Sequence, residues 1–371
     1  MTGWRFATDE AAVVRSLVAL LVGLPAAWLV SSFFLALRLH QGIWPAARWL
    51  TTIALAAGTL VTSYSVTLNN HVPAAAFLFA AVLAGVRGRG AAAGALCGLT
   101  LATDIVPGLV FAPVVFALSE SSGGSRAARR CATGLACGLL LLALSDFAIV
   151  GSVLPPKLVP GRVDTGGDAA ANVAGVVLPE RLTYPLECLF GGHGLFSVSP
   201  VLLFGLAGLA VAVRRETGLP RRASRLVAAG ILVHTAGHLL LAGGYGGWSY
   251  GFRYLIPIAP LLLFFAPLAL GGWRTALFVP VLAVSVLFAA LGVYNPWPPA
   301  YESHYTHDPV ATLVTNPIGA NAAAWLDEHA NDSPLAVAVG ARFVSPDPAL
   351  RDRYFRYWRL SRGRSGIVRT P

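Results

Sequence analysis

Leu99-Thr100-Leu101-Ala102-Thr103-Asp104-Ile105-Val106-Pro107-Gly108 decides how this chain folds. It interrupts an apolar run from Gly90 to Leu118 with a carboxylate and then a proline. Read as one helix, the run crosses a membrane once. Read as two helices meeting at Asp104, it crosses and returns. A carboxylate at membrane depth is costly unless it faces a cavity or a partner. Proline two residues into a helix is tolerated, whereas in the middle of one it breaks the hydrogen-bond ladder. The spacing therefore predicts a turn at Asp104. Every loop after residue 118 changes sides with this choice.

The rest of the chain supplies the test. It has 371 residues, 56% of them hydrophobic and only 12% charged, with a mean hydropathy of +0.67. Soluble domains carry about 25% charge, so the composition predicts an all-α polytopic membrane protein. Apolar runs cover roughly 13–37, 49–68, 73–86, 90–118, 131–150, 195–213, 226–242, 255–270 and 275–293. About nine spans are expected, with a soluble tail over 295–371 and a transmembrane domain over 1–294. Residues 120–130 read as a polar linker, and 151–190 as a long Pro- and Gly-rich loop. With the turn at Asp104, one set of loops holds thirteen arginines: Arg38, Arg48, Arg87, Arg89, Arg126, Arg129, Arg130, Arg214, Arg215, Arg221, Arg222, Arg225 and Arg274. The alternate internal loops hold four cations: Lys157, Arg162, Arg181 and Arg253. Positive charge stays cytoplasmic, so the first set is inside. Without the turn the bias collapses. The formal net charge of +10 is thus explained by cytoplasmic loops, and no nucleic-acid motif accompanies it.

Four cysteines form no CxxC pair, so neither a zinc site nor a disulfide framework is expected. Cys97, Cys131 and Cys137 lie in apolar runs, and Cys188 reads as loop-borne. His234 and His238 have the i, i+4 spacing of metal ligands, but no acid lies between them, and hydrogen bonding inside the bundle is the simpler role. No phosphate-binding Gly-x-x-x-x-Gly-Lys loop and no Gly-x-Ser-x-Gly elbow occurs.

On the outer side the sequence gathers Asn69, Asn70, His71, Asp104, Asp146, Glu187, His193, His238, Tyr250 and Arg253. Asn69-Asn70-His71 has two readings. It is a helix boundary, or a set of donors and acceptors suited to sugar hydroxyls. Asp104 either caps the helix that follows it or acts as an acid. Gly243-Gly-Tyr-Gly-Gly-Trp-Ser-Tyr-Gly-Phe-Arg-Tyr-Leu-Ile-Pro-Ile-Ala-Pro260 sets five aromatics and five glycines around Arg253. One reading is an interfacial aromatic belt with a snorkelling arginine. The other is a phosphate site, because the arginine fork matches phosphate geometry.

The segment Trp248-Ser-Tyr-Gly-Phe-Arg-Tyr-Leu-Ile-Pro257 resembles a "Gly-Gly, aromatic, Gly-x-Arg-Tyr-Leu, Pro" segment of bacterial GT-C-type membrane glycosyltransferases. These include relatives of the dolichyl-phosphate-mannose protein mannosyltransferases and the Rgt-like transferases. Gly191-Gly-His-Gly-Leu-Phe-Ser-Val-Ser-Pro200 resembles a second segment of the same enzymes. The resemblance covers roughly 13–295 and none of the tail. It implies sugar transfer from a polyprenyl-phosphate carrier at the outer face of a bacterial plasma membrane. The implied partners are membrane lipid and the lipid-linked sugar, with no nucleic acid. The acceptor stays open, as does a divalent metal. Arg253 would contact the carrier phosphate, and Tyr250 and Tyr254 would shape its pocket. Asn69, Asn70, His71 and His193 would bind sugar or acceptor, and Asp104 would be the acid. The family carries a catalytic acid in a loop after its first helix, and no such loop precedes Val13. The expectation is a chain that lacks that helix and loop and transfers sugar poorly. The competing readings are a transporter or flippase of a lipid-linked substrate, and a non-catalytic scaffold.

Overall fold

The computed structural model describes residues 6–153, 178–216, 219–241, 249–297, 316–330 and 333–363. Among these every regular element is helical, with no strand. The helices are α1 Phe6–Val18, α2 Leu24–Ala36, α3 Pro45–Ala57, α4 Leu60–Tyr64, α5 His71–Val86, α6 Gly90–Thr103 and α7 Ile105–Val150. They continue as α8 Leu178–Phe190, α9 Leu195–Val198, α10 Leu202–Ala212, α11 Arg221–Leu241, α12 Ala259–Phe264, α13 Trp273–Tyr294, α14 Pro317–Ala330, α15 Pro334–Phe343 and α16 Pro348–Gly363. Four helical stretches are long and apolar enough to cross a membrane: Glu10–Leu39, Ile105–Val150, Arg221–Leu240 and Trp273–Tyr294. A fifth is added if the pair Tyr184–Val198 and Leu202–Ala212, bent by 98°, counts as one.

The turn at Asp104 is present. Its backbone is extended, with φ −145° and ψ 109°, between the end of α6 and the start of α7. Contact pairs show the directions. His71 meets Asp104, Gly85 abuts Leu118 and Gly88 abuts Ser122, so α5 and the first half of α7 run parallel. The sequence separation stays nearly constant along these pairs. Helix α6 returns between them. The expected polar linker at 120–130 is instead helical apart from one break at Gly124, whose φ of 68° only glycine adopts without strain. Net charge alone does not break a helix, and a linker read from polarity missed that.

Beyond Gly124 the second half of α7 lies directly on α6. A Cβ on Gly90 would collide with the Ala127 carbonyl, and one on Gly94 with the Cys131 carbonyl. A Cβ on Gly98 would sit 2.7 Å from the Gly138 Cα. Gly90, Gly94 and Gly98 form a small-xxx-small ladder, answered by Gly134 and Gly138. Such ladders let two backbones touch, which replaces the missing hydrophobic drive between apolar helices with dense van der Waals contact.

The segment 249–267 fills the centre of the bundle. Within it only Arg253 and Tyr254 are not fully buried. It is a 3-10 turn over Arg253–Ile258 followed by the short α12, because Pro257, Pro260 and Pro267 withhold backbone donors. The α10 glycines Gly205 and Gly208 press against its Leu262 and Phe265 carbonyls. An interfacial belt would be exposed, so the belt reading does not describe residues 249–258. Residues 242–248 of the quoted glycine-aromatic stretch, and 154–177 of the long loop, lie outside the described residues.

Two further expectations change. Run 49–68 divides into α3 and α4 at Gly58 and Thr59. Cys188 is not loop-borne but lies in α8 with no exposed surface. The tail folds into α14, α15 and α16, whose Ala320, Ala324, Tyr354 and Trp358 form a separate cluster. It docks on the end of α13. The Asn321 amide donates to the Leu291 carbonyl (2.9 Å) and the Asn295 carbonyl (2.8 Å), and Trp358 packs on Tyr294.

The glycine contacts make an asymmetric prediction. Gly94→Ala forces two backbones apart and should destabilise by about 1–3 kcal/mol, as overpacking does. Gly237→Ala, in α11 with nothing within 4 Å of the new Cβ, should be neutral or stabilise by up to about 1 kcal/mol. Thermal unfolding of the two variants in detergent should separate them in opposite directions. Equal midpoints would show that α6 and α7 do not touch at Gly94.

Candidate functional site

At the end of the bundle where α5 begins, a row of polar side chains meets. His71 opens α5 and Asp104 lies at the α6–α7 turn. The His71 Nδ1–H donates to Asp104 Oδ2 at 2.7 Å. Both side chains are largely buried, 7% and 12% exposed. This is the one ion pair among the described residues. It bears on the capping reading of Asp104. The carboxylate makes no capping bond to the first amides of α7, so it is held by an imidazole instead. An acceptor on Nδ1–H fixes the tautomer and leaves the Nε2 lone pair free. Nε2 makes no hydrogen bond among the described residues.

Tyr254 joins this pair to the rest. Its ring meets the His71 ring edge-on, centroids 5.7 Å apart, and stacks on His238 at 5.0 Å and 7°. Its carbonyl accepts from the His234 Nε2–H at 3.1 Å. His234 and His238 sit one turn apart on α11, with rings 4.7 Å apart. The expected hydrogen-bonding role is thus observed for His234. No group of three or more metal-binding side chains is found among the described residues.

Arg253 also packs on Tyr254. Its guanidinium sits 5.8 Å from the Tyr254 ring centre and 5.0 Å from that of Trp297. Its Nε is buried with no hydrogen-bond partner, and it makes no ion pair among the described residues. Trp297 is itself fixed, its Nε1–H donating to Thr67 Oγ1 at 2.8 Å and its ring packed on Tyr64. A cation between aromatic faces is held at roughly 0.5–2 kcal/mol per contact while keeping its donors for an anion.

The other sequence candidates fall elsewhere. Asn69 is committed to backbone. Its amide donates to the Tyr64 and Thr67 carbonyls, at 2.6 and 2.8 Å, and its Oδ1 accepts from the Val72 N–H at 3.0 Å. That is the helix-boundary reading. Asn70 is exposed and donates to the Thr103 carbonyl at 3.2 Å, tying α5 to the turn that carries Asp104. Tyr250 is fully buried behind the site, its hydroxyl donating to the Phe288 carbonyl at 2.7 Å. Gly292 leaves the room for that ring. His193 is buried, and its carbonyl accepts from the Phe252 N–H at 2.7 Å, pinning the strand-like entry to Arg253. Trp297 was not foreseen. Its signal was an aromatic directly after the last apolar run, next to Asn295 and Pro296.

No protein family, characterised protein or solved structure matches this chain.

The His71–Asp104 pair should behave as a unit. Removing one member of a buried pair strands the other and costs on the order of 3 kcal/mol. His71→Ala and Asp104→Ala should each destabilise the protein strongly, and the double variant by clearly less than their sum, with a coupling above about 1 kcal/mol. Tyr250→Phe should cost only about 1 kcal/mol, the net worth of one buried hydrogen bond. Additive single effects in detergent denaturation would break the pairing.

Proposed function

We propose that this chain is a glycosyltransferase-like protein of the bacterial plasma membrane, acting at the outer face on a sugar carried by a polyprenyl phosphate. The observation that carries the reading is Arg253. It makes no ion pair among the described residues and is braced by Trp297 and Tyr254, and Tyr254 also packs on His71 of the His71–Asp104 pair. A phosphate leaving group needs a fixed cation, and an acceptor hydroxyl needs a base; both groups pack on Tyr254. In this reading the acceptor oxygen forms a bond to the anomeric carbon as the bond from that carbon to phosphate oxygen breaks. The acceptor proton passes to His71 Nε2, and Asp104 holds the imidazolium that results. The departing phosphate stays on Arg253. The resemblance of residues 248–257 to GT-C-type enzymes supports the same assignment.

The membrane part has about nine spans in this reading, several shorter than a full crossing and shielded by their neighbours. The helix directions support one outer end, since His71 and Asp104 share the end of α5, α6 and α7 opposite to Arg87, Arg89 and Arg126. The tail is then external, docked beside Trp297. A transporter of the same carrier would need Arg253 and have no use for a base.

Two measurements test this. In a cysteine-free background, Asn70→Cys should react with an impermeant thiol reagent added outside, and Gly88→Cys should not; the reverse pattern would invert the protein and remove the site from the outer face. Carrier binding and sugar release should then separate the roles. Arg253→Lys keeps the charge and loses the fork, so polyprenyl-phosphate binding should weaken about tenfold to a hundredfold, the worth of a charge-assisted hydrogen bond. His71→Gln should leave binding within about threefold and lower sugar transfer or slow hydrolysis of the donor by about 10²–10⁴, the range for a lost general base. Binding unchanged in Arg253→Lys and Arg253→Ala alike would end the phosphate assignment. Carrier movement across vesicles without covalent change, unaffected by His71→Gln, would favour transport.

A further inference from the structure

At the opposite end of the bundle from His71, two tight turns cross. The α5–α6 turn carries Gly88, with φ 68°, and the break in α7 carries Gly124, with φ 68°. They touch backbone to backbone: a Cβ on Gly88 would lie 3.1 Å from the Ser122 carbonyl oxygen, and one on Gly123 2.9 Å from the Gly88 carbonyl oxygen. Each turn starts a helix, and the two helices run off in the same direction. Gly90 abuts Ala127 and Gly94 abuts Cys131. The N-termini of α6 and of the second half of α7 thus lie side by side, next to the C-termini of α5 and of the first half of α7, so the helix dipoles largely cancel there. Arg89, at the N-cap of α6, supplies no side-chain cap.

A cavity of about 420 Å³ opens there. Arg89, Arg126 and Arg130 converge on it from both turns, with the small side chains of Ala91 and Ala92 on its wall. Arg126 and Arg130 are i, i+4 and so share one face of α7. None of the three makes an ion pair among the described residues, and Glu120, the nearest acid in sequence, makes none either. Three like charges around one hollow favour an anion between them. All three side chains are exposed around this open hollow, and their grouping at one point is more than an inner-side charge bias requires.

We propose that this basin is a binding site for a phosphate oxyanion, supplied by an anionic phospholipid headgroup or by a soluble phosphate ester. The three guanidinium forks match phosphate oxygens in pairs. The first amides of α6 are without intrahelical partners and complete the acceptor set. The hollow lies at the ends of apolar helices, where a headgroup would sit with its chains along α6 and α7; basic pockets between membrane helices take anionic headgroups in this way. The site is independent of the Arg253 assignment. It would lock α5, α6 and α7 together at the end remote from the His71–Asp104 turn.

The experiment uses the full chain in phosphatidylcholine nanodiscs with two probes, trace phosphatidylglycerol and inorganic phosphate. One variant carries Arg89→Gln, Arg126→Gln and Arg130→Gln. A control carries Arg214→Gln, Arg221→Gln and Arg222→Gln, an equal loss of charge at other loops on the arginine-rich side. The basin variant should lose affinity about tenfold or more for whichever probe binds wild type, since each lost charge-assisted bond is worth at least that factor. The control should change less than about threefold. Retention of phosphatidylglycerol against neutral lipid, read by native mass spectrometry, identifies a lipid source. Saturable phosphate binding with no lipid preference identifies a soluble one. Equal losses in basin and control variants would reduce the site to diffuse charge and overturn it, as would binding of neither probe by wild type. Should the basin variant not fold, phenylglyoxal modification of wild type decides: the bound probe should protect Arg89, Arg126 and Arg130 together and leave Arg222 reactive. Uniform protection or none overturns the site.

Discussion

The close approach of α6 to α7 is the constraint from which the rest follows. Glycines at 90, 94 and 98 let the α6 backbone rest on that of α7. That contact is possible only if α7 reverses at Gly124 and returns alongside α6. The reversal in turn requires the chain to have turned once already at Asp104. With α5, α6 and both halves of α7 packed as one block, the start of α5 and the Asp104 turn are brought to the same end. His71 and Asp104, 33 positions apart, then have little choice but to meet. A polar pair that is costly in an apolar medium is formed because the helices carrying it are held by contacts made elsewhere.

The architecture was legible where a single physical signal dominated. Composition gave the all-helical membrane class, and the arginine count required the Asp104 turn. The helix-boundary role of Asn69 and the hydrogen-bonding role of His234 were among the alternatives that spacing allowed. Three things were not legible. The residues 120–130 look like a linker because polarity was read as a break, whereas arginine favours helix and only Gly124 stops it. The run 255–270 looks like one regular helix because it is apolar, but its three prolines divide it into 3-10 turns and one short helix, buried throughout most of its length. The pairing of His71 with Asp104 is a tertiary fact. Each residue had an adequate local role of its own, and no periodicity links positions on different helices. Gly90, Gly94 and Gly98 were in plain view as a small-residue ladder, and their spacing would have indicated which two helices touch.

Within the site, burial separates residues that the sequence groups together. Tyr250 and Tyr254 stand four apart around one arginine and look equivalent. In a 3-10 approach to a short helix they do not share a face. Tyr250 turns inward, and its hydroxyl is consumed by the Phe288 carbonyl. Tyr254 stays at the edge, with its ring shared among His71, His238 and Arg253. A tyrosine in that place transmits position: if its ring shifts, the cation and the imidazole packed on it shift with it.

The tail enters the same argument through Asn321. Its amide donates to two carbonyls at the end of α13, to Leu291, which also accepts from the Asn295 N–H, and to Asn295, so that neither faces an apolar medium unsatisfied. That closes α13 at residue 294 and sets the direction in which Asn295, Pro296 and Trp297 leave it. Trp297 then turns back over Thr67 and Tyr64 and covers Arg253. The chain thus fixes this centrally placed arginine, which pairs with no acid among the described residues, from two directions. Pro257 and Pro260 stiffen the segment behind it, and a tryptophan held by the end of the last span braces it from above. Neither support is an ion pair, and among the described residues no acid neutralises the positive charge. That condition suits a residue meant to hold an anion, and a structural arginine has no need of it.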